Sequence, residues 1–114
     1  MKYELKKFVK VVDELLTYCM LTFDSSKVNV AIEHDTDAFR ACFTLQDGNI
    51  APERIRALRE KFSAERSHEL EDYYWQLAGE LEDSNELDLV AKMCDKAEID
   101  YTGGVLTLRL IRLH

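Results

Sequence analysis

The chain has no long hydrophobic run, no basic surplus and only one proline, Pro52. No stretch approaches the roughly 20 apolar residues that a membrane-spanning helix needs, so no membrane partner is expected. Lys and Arg total 15 against 22 Asp and Glu, a net charge of −7. Binding to phosphate backbones needs a basic surface. No Lys/Arg cluster with interleaved aromatics occurs, so no nucleic acid is expected either. The three cysteines, Cys19, Cys42 and Cys94, are odd in number, far apart and set among apolar residues. That pattern reads as reduced core thiols. His34, His68 and His114 are scattered, and no His/Cys pair has metal-ligand spacing, so no metal site is expected. The first residues, MKYELKKFVKVVDELL, include acids and no small-residue cleavage pattern. They do not read as a signal peptide, and a cytoplasmic location is the expectation. There are no internal repeats and no low-complexity segment.

What remains is a chain of 114 residues, 46% hydrophobic and 32% charged, the composition of one soluble globular domain spanning 1–114. Leu5, Phe8, Val9, Val12, Leu15, Leu16 and Cys19 recur at helical intervals and predict a helix over 3–22 with one continuous apolar stripe. Lys6, Lys7, Lys10, Asp13 and Glu14 fall mostly off that stripe. Asp24-Ser25-Ser26 stops the helix, since short polar side chains compete for backbone hydrogen bonds.

Residues 27–50, KVNVAIEHDTDAFRACFTLQDGNI, organise the rest. Val28, Val30 and Ile32 alternate with Asn29, Ala31 and Glu33. Phe39, Ala41, Phe43 and Leu45 alternate with Arg40, Cys42 and Thr44. Two period-2 runs joined by Asp35-Thr36-Asp37 predict an antiparallel hairpin with one buried face. Asp47-Gly48-Asn49 breaks the second strand. Pro52 then opens a helix, where its missing N–H costs nothing, and Ile55, Leu58 and Phe62 form its inner stripe. A charged helical run is predicted over 64–82, with Leu70, Tyr73, Tyr74, Leu77 and Leu81 in helical phase. A further helix is predicted over 86–97, with Leu87, Val90, Ala91 and Cys94 inward. A closing hairpin turns at Thr102-Gly103-Gly104, where two glycines supply positive φ. Leu106, Leu108 and Leu110 share one face of its last strand. The order α–β–β–α–α–α–β–β, with hairpin strands and segregated helices, predicts an α+β two-layer sandwich: a mixed, mostly antiparallel sheet covered by helices.

That order resembles the histidine-kinase-like ATPase family, which includes sensor-kinase catalytic domains and anti-sigma-factor serine kinases. The resemblance spans nearly the whole chain. Val12-Asp13-Glu14-Leu15-Leu16-Thr17-Tyr18-Cys19 resembles the family's first motif, a helix reading acidic-E-L-x-x-N-A. Asp47-Gly48-Asn49-Ile50-Ala51-Pro52-Glu53 resembles the D-x-G-x-G-I-x-x-E turn. Leu87-Asp88-Leu89-Val90-Ala91-Lys92-Met93 resembles the G-L-G-L-x-I-V helix start, and Gly103-Gly104-Val105 through Arg109 the closing hairpin.

The resemblance implies an ATP site with magnesium, and each motif departs from it. Glu14 stands where the family has its catalytic glutamate, but Tyr18 replaces the asparagine that holds magnesium. A phenol substitutes poorly in a near-octahedral magnesium shell. Aligned without a gap, the adenine-reading aspartate falls on Leu45 and the glycines on Asp47 and Asn49. With a gap, Asp47 takes the adenine position and only Gly48 survives. The third motif's phosphate-binding glycines are replaced by Ser84-Asn85-Glu86-Leu87-Asp88. Two carboxylates there would each cost on the order of 1–4 kcal/mol beside a polyphosphate. The family's flexible lid is replaced by the charged run 60–82. The departures imply a non-catalytic regulatory or protein-interaction domain without a cofactor, acting on a protein partner or as a homodimer. The alternative is a divergent ATP-binding enzyme of the serine-kinase type, with Glu14 catalytic and Asp47 and Gly48 on the nucleotide. Tyr73, Tyr74 and Trp75 spread over about 200° of a helix and are the candidate interaction patch.

Overall fold

In a computed structural model, residues 2–25, 27–63, 66–71 and 83–114 are described, without the side chains of 83–86. The elements are α1 (Lys2–Thr22), β1 (Val28–His34), β2 (Ala38–Gln46), α2 (Pro52–Phe62), α3 (Asp83–Met93), β3 (Lys96–Thr102) and β4 (Val105–Leu113). The four strands form one sheet in the order β1-β2-β4-β3, and all its described pairs are antiparallel. The helices pack on one face, giving the α+β two-layer sandwich. The opposite face, with Arg40, Cys42, Thr44, Thr107, Arg109 and Ile111, is open or half-buried.

The core follows the alternation in the strands. Phe39, Ala41, Phe43 and Leu45 of β2 and Leu106, Leu108 and Leu110 of β4 are all buried under the helices. Register pairs Phe43 with Leu108 and Leu45 with Leu106, so the two rows lie side by side. Burying each such side chain stabilises the fold by about 1.5–3 kcal/mol. Of the thiols, Cys19 and Cys94 are in the core, whereas Cys42 lies half-buried on the open face opposite Ala31 and Arg109.

The helices differ from expectation in two places. The apolar stripe of α1 splits. Phe8, Val11, Leu15 and Cys19 enter the core, while Leu5 and Val9 are 45% and 51% exposed. Lys7 and Glu14, expected off the buried face, are both buried. Second, α3 starts at Asp83 rather than 86 and ends at Met93 rather than Ala97. Its expected last turn is taken by the sheet. The Asp95 amide donates to the Ile111 carbonyl at 2.9 Å, and Lys96 and Ala97 pair with Ile111 and Leu110 as the first residues of β3. Of the helix expected over 64–82, residues 68–71 are helical and 72–82 lie outside the described residues. The start of α2 is as the sequence predicts, and its end falls at Phe62. Pro52 is at the first helical position after Ala51, and the Ser63 amide closes the last turn on Arg59 and Glu60.

One strand position breaks the apolar pattern. Arg112 is in phase with Leu106, Leu108 and Leu110, so it points into the interior and is fully buried. Its guanidinium binds Glu71 at 2.6 and 3.0 Å, Glu4 at 2.7 and 3.2 Å, and the Met93 carbonyl at 2.7 Å. Glu71 also accepts from Lys7 at 2.8 Å and Arg66 at 3.1 Å. Arg66 reaches Asp95 at 2.7 Å and the Leu113 carbonyl at 3.1 Å. Among the described residues, the cations Lys7, Arg66 and Arg112 face the carboxylates Glu4, Glu71 and Asp95, the pairing that a low-dielectric site requires. It ties the start of α1, segment 66–71, the end of α3 and the end of β4.

Burial raises the Glu71 pKa, but hydrogen bonds from Arg112 and Lys7 and the charges of Arg112 and Arg66 outweigh it. The carboxyl is held down at about 2, against an ordinary 4.5. A depressed folded pKa gives stability that is present above the unfolded value and lost as pH falls through the folded one. Urea unfolding should therefore show stability declining from about pH 4.5 towards pH 2. Arg112→Met should lose about 3 kcal/mol at neutral pH, because it strands buried carboxylates, and should flatten that acid slope. A variant as stable as wild type would show that the network is not structural.

Candidate functional site

The site implied by the motifs would lie where α1 ends, β2 turns into α2, and α3 begins. Tyr18 sits on the last turns of α1, and α2 and α3 pack against each other. Between them is a cleft of about 750 Å³, lined by Tyr18, Thr22, Arg54, Lys61 and Leu87 among others.

Several of its polar groups are already engaged. Lys61 of α2 pairs with Asp88 of α3 at 3.1 Å, so the cation nearest the third motif faces a carboxylate. Burial pushes the Tyr18 phenol up, and interaction with Arg54 and Thr22 pulls it partly back. Its ring packs edge-on against Phe23, with centroids 5.9 Å apart. A buried, protonated phenol beside a guanidinium offers no magnesium ligand. Glu14 does not line this cleft. It is 4% exposed, on the face of α1 that packs inward. Among the described residues, no group of His, Cys, Asp or Glu could hold a metal ion.

Asp47 is spent on the backbone. One carboxylate oxygen accepts from the Asp24 amide at 2.9 Å, and the other from the Asn49 amide at 3.0 Å. Its own amide donates to the Gly104 carbonyl at 2.9 Å. Its carbonyl accepts from the Tyr101 hydroxyl at 2.6 Å. Asp47 thus clasps the end of α1, its own turn and the β3–β4 hairpin. It is 8% exposed and faces a different hollow from Tyr18, one shared with Gly48, Asn49, Gly103 and Gly104. In the ungapped alignment the adenine position is Leu45, which is 1% exposed in the core. In the gapped alignment the carboxylate at the adenine position is mostly buried and already carries two backbone amides.

Packing does not require a glycine at 48, where a Cβ would meet nothing within 4 Å. A Cβ on Gly104 would come within 3.4 Å of the Gly48 Cα, so the two turns touch backbone to backbone. The positive φ angles are at Gly103 and Gly104, 61° and 77°, and not in the Asp47–Asn49 turn. Gly104 is the glycine that lets the closing hairpin approach the Asp47–Asn49 turn.

Tyr73, Tyr74 and Trp75 lie outside the described residues. The residues that sequence reasoning missed are Arg54, which faces Tyr18, and the Arg112 network. Arg112 was in phase with the leucines of β4, which was a readable signal. Comparison with protein-family models and with curated proteins returns no match for this sequence.

Asp47→Ala should lower stability by about 2 kcal/mol, because two charge-assisted hydrogen bonds disappear. Asp47→Asn keeps one acceptor and should cost about half of that. Urea titration of both variants checks this. An Asp47→Ala protein as stable as wild type would show that the carboxylate is free for another task.

Proposed function

We propose that this chain is a non-catalytic protein-interaction domain on a histidine-kinase-like ATPase scaffold whose nucleotide site has closed. The observation that carries the reading is the Asp47 carboxylate, whose two oxygens are bound by the Asp24 and Asn49 amides. Three further features support it: Tyr18 at the magnesium-ligand position, Lys61 neutralised by Asp88, and Leu45 buried in the core. What such a protein keeps is a rigid sandwich with an open side, suited to binding another protein.

A second reading, a divergent ATP-binding enzyme of the same family, is favoured by one observation. The cleft beside Tyr18 has about 750 Å³ and carries Arg54 and Lys61, a volume within the range of small-molecule sites.

Thermal unfolding with and without millimolar Mg-ATP separates the two. A ligand at 100 times its dissociation constant adds about 2.7 kcal/mol, which would raise Tm by roughly 10 °C in a domain of this size. The interaction reading predicts no rise. A rise that Lys61→Ala and Arg54→Ala abolish would establish the enzyme reading instead.

A further inference from the structure

The sandwich has two sheet edges, and they are treated differently. At β3, the open-face residues Lys96, Glu98 and Asp100 are charged, and Arg59 of α2 donates to the Ile99 carbonyl at 3.2 Å. Charges and a covering side chain are how proteins blunt an edge against pairing. At β1, VNVAIEH carries no proline and no lysine. Its register with β2 is continuous from Val28 to His34, without a bulge. No hydrogen bond from outside the sheet reaches its backbone among the described residues. Ile32 is 53% exposed, although its register partner Ala41 is 3% exposed, so the helix layer stops short of this edge.

The helix above that edge is equally bare. α1 packs on α3 and β2, while α2 packs on α3 and β3. Across the sheet order β1-β2-β4-β3, α1 therefore lies at the β1 end, and its flank away from α3 faces the same way as the β1 edge. That flank carries Leu5, Val9, Val12, Leu16 and Met20. Leu5, Val9 and Met20 are 45%, 51% and 67% exposed. Their spacing of four, three, four and four is close to the seam with which two helices pack together.

We propose that a second copy of this chain covers this side, β1 against β1 and α1 against α1, joining the two four-stranded sheets into one continuous sheet. The surface is self-complementary. A two-fold axis at Ala31 sets Val30 opposite Ile32 of the second copy on the inner face. On the open face it sets Asn29 opposite Glu33, so no like charges meet. The Phe8 ring stacks on Phe39 at the start of β2, and the Asp24 amide is held by Asp47 at its end. α1 therefore runs with β2 and against β1, and antiparallel β1 strands bring antiparallel α1 helices. The charges of α1 demand the same orientation. Its exposed lysines, Lys2, Lys6 and Lys10, are confined to the first half, where Glu4 is bound to Arg112, and the exposed charge of residues 11–22 is Asp13, Lys7 and Glu14 being buried. Antiparallel helices set the basic half of one copy against the acidic half of the other, whereas parallel ones would oppose lysine to lysine. α1 is about 30 Å long and its layer lies about 10 Å from the sheet.

The proposal rests on the interaction-domain reading and gives it a partner. Sedimentation equilibrium of the whole chain without nucleotide tests it. Wild type should sediment as two chains. Ile32→Lys and Val9→Glu replace side chains already half in water. Each should keep the wild-type circular dichroism melt of the chain at concentrations where it is monomeric, and each should raise the dissociation constant at least about tenfold. Asp100→Ala, on the guarded β3 edge, should leave it unchanged. A wild-type monomer across the micromolar range overturns the proposal and leaves the nucleotide-free reading standing. So does a dimer that both variants leave intact, or one that Asp100→Ala disrupts. A dimer that is stabilised by Mg-ATP overturns the nucleotide-free reading alone.

Discussion

The fully buried guanidinium of Arg112 is the constraint on which the packing of this domain depends. A charge in that position is tolerable only if every element around it supplies its share of hydrogen bonds. Glu4 comes from α1, Glu71 from the segment before α3, and the Met93 carbonyl from the end of α3. None of these groups can move far without stranding a charge. The network therefore sets where α1 lies across the sheet and where α3 must end. The apolar core supplies most of the stabilisation, and the network selects one arrangement of that core.

A second polar clasp works at the opposite end of α1. Asp47 binds the amide that follows the helix, its own turn, and the closing hairpin. α1 is thus held at its start by Glu4 and Lys7 and just past its end by Asp47. In the family that the sequence resembles, this turn faces a nucleotide. Here the same turn faces backbone, with Gly48 against Gly104. Each Asp47 carboxylate oxygen already accepts one backbone amide.

The strands were legible because alternation is a strong signal when one face is buried. Phe39 to Leu45 and Leu106 to Leu110 lie as their period predicts. α1 was legible as a helix but not in its rotation. Apolar residues fill so much of its circumference that periodicity cannot say which arc meets the core. The answer depends on Glu71, which draws Lys7 inward, and on an open edge that leaves Val9 in water. The end of α3 was hidden for a similar reason. Ala97 suits a helix, and only the pairing with Leu110 makes it a strand residue. In the candidate site, Tyr18 stands where the resemblance implies an asparagine, a departure readable in the sequence. The engagement of Asp47 was not, because its partner Asp24 lies 23 residues away. The partners of Arg112, 41 and 108 residues distant, are likewise invisible to local patterns.

The central claim is that Asp47 belongs to the fold and not to a ligand. Amide hydrogen exchange at Asp24 and Asn49, with and without millimolar Mg-ATP, tests it most directly. Both amides should be protected, and nucleotide should leave their exchange unchanged. Exchange that speeds up at both positions when nucleotide is added would show the carboxylate leaving its backbone partners for a ligand, and would contradict the account.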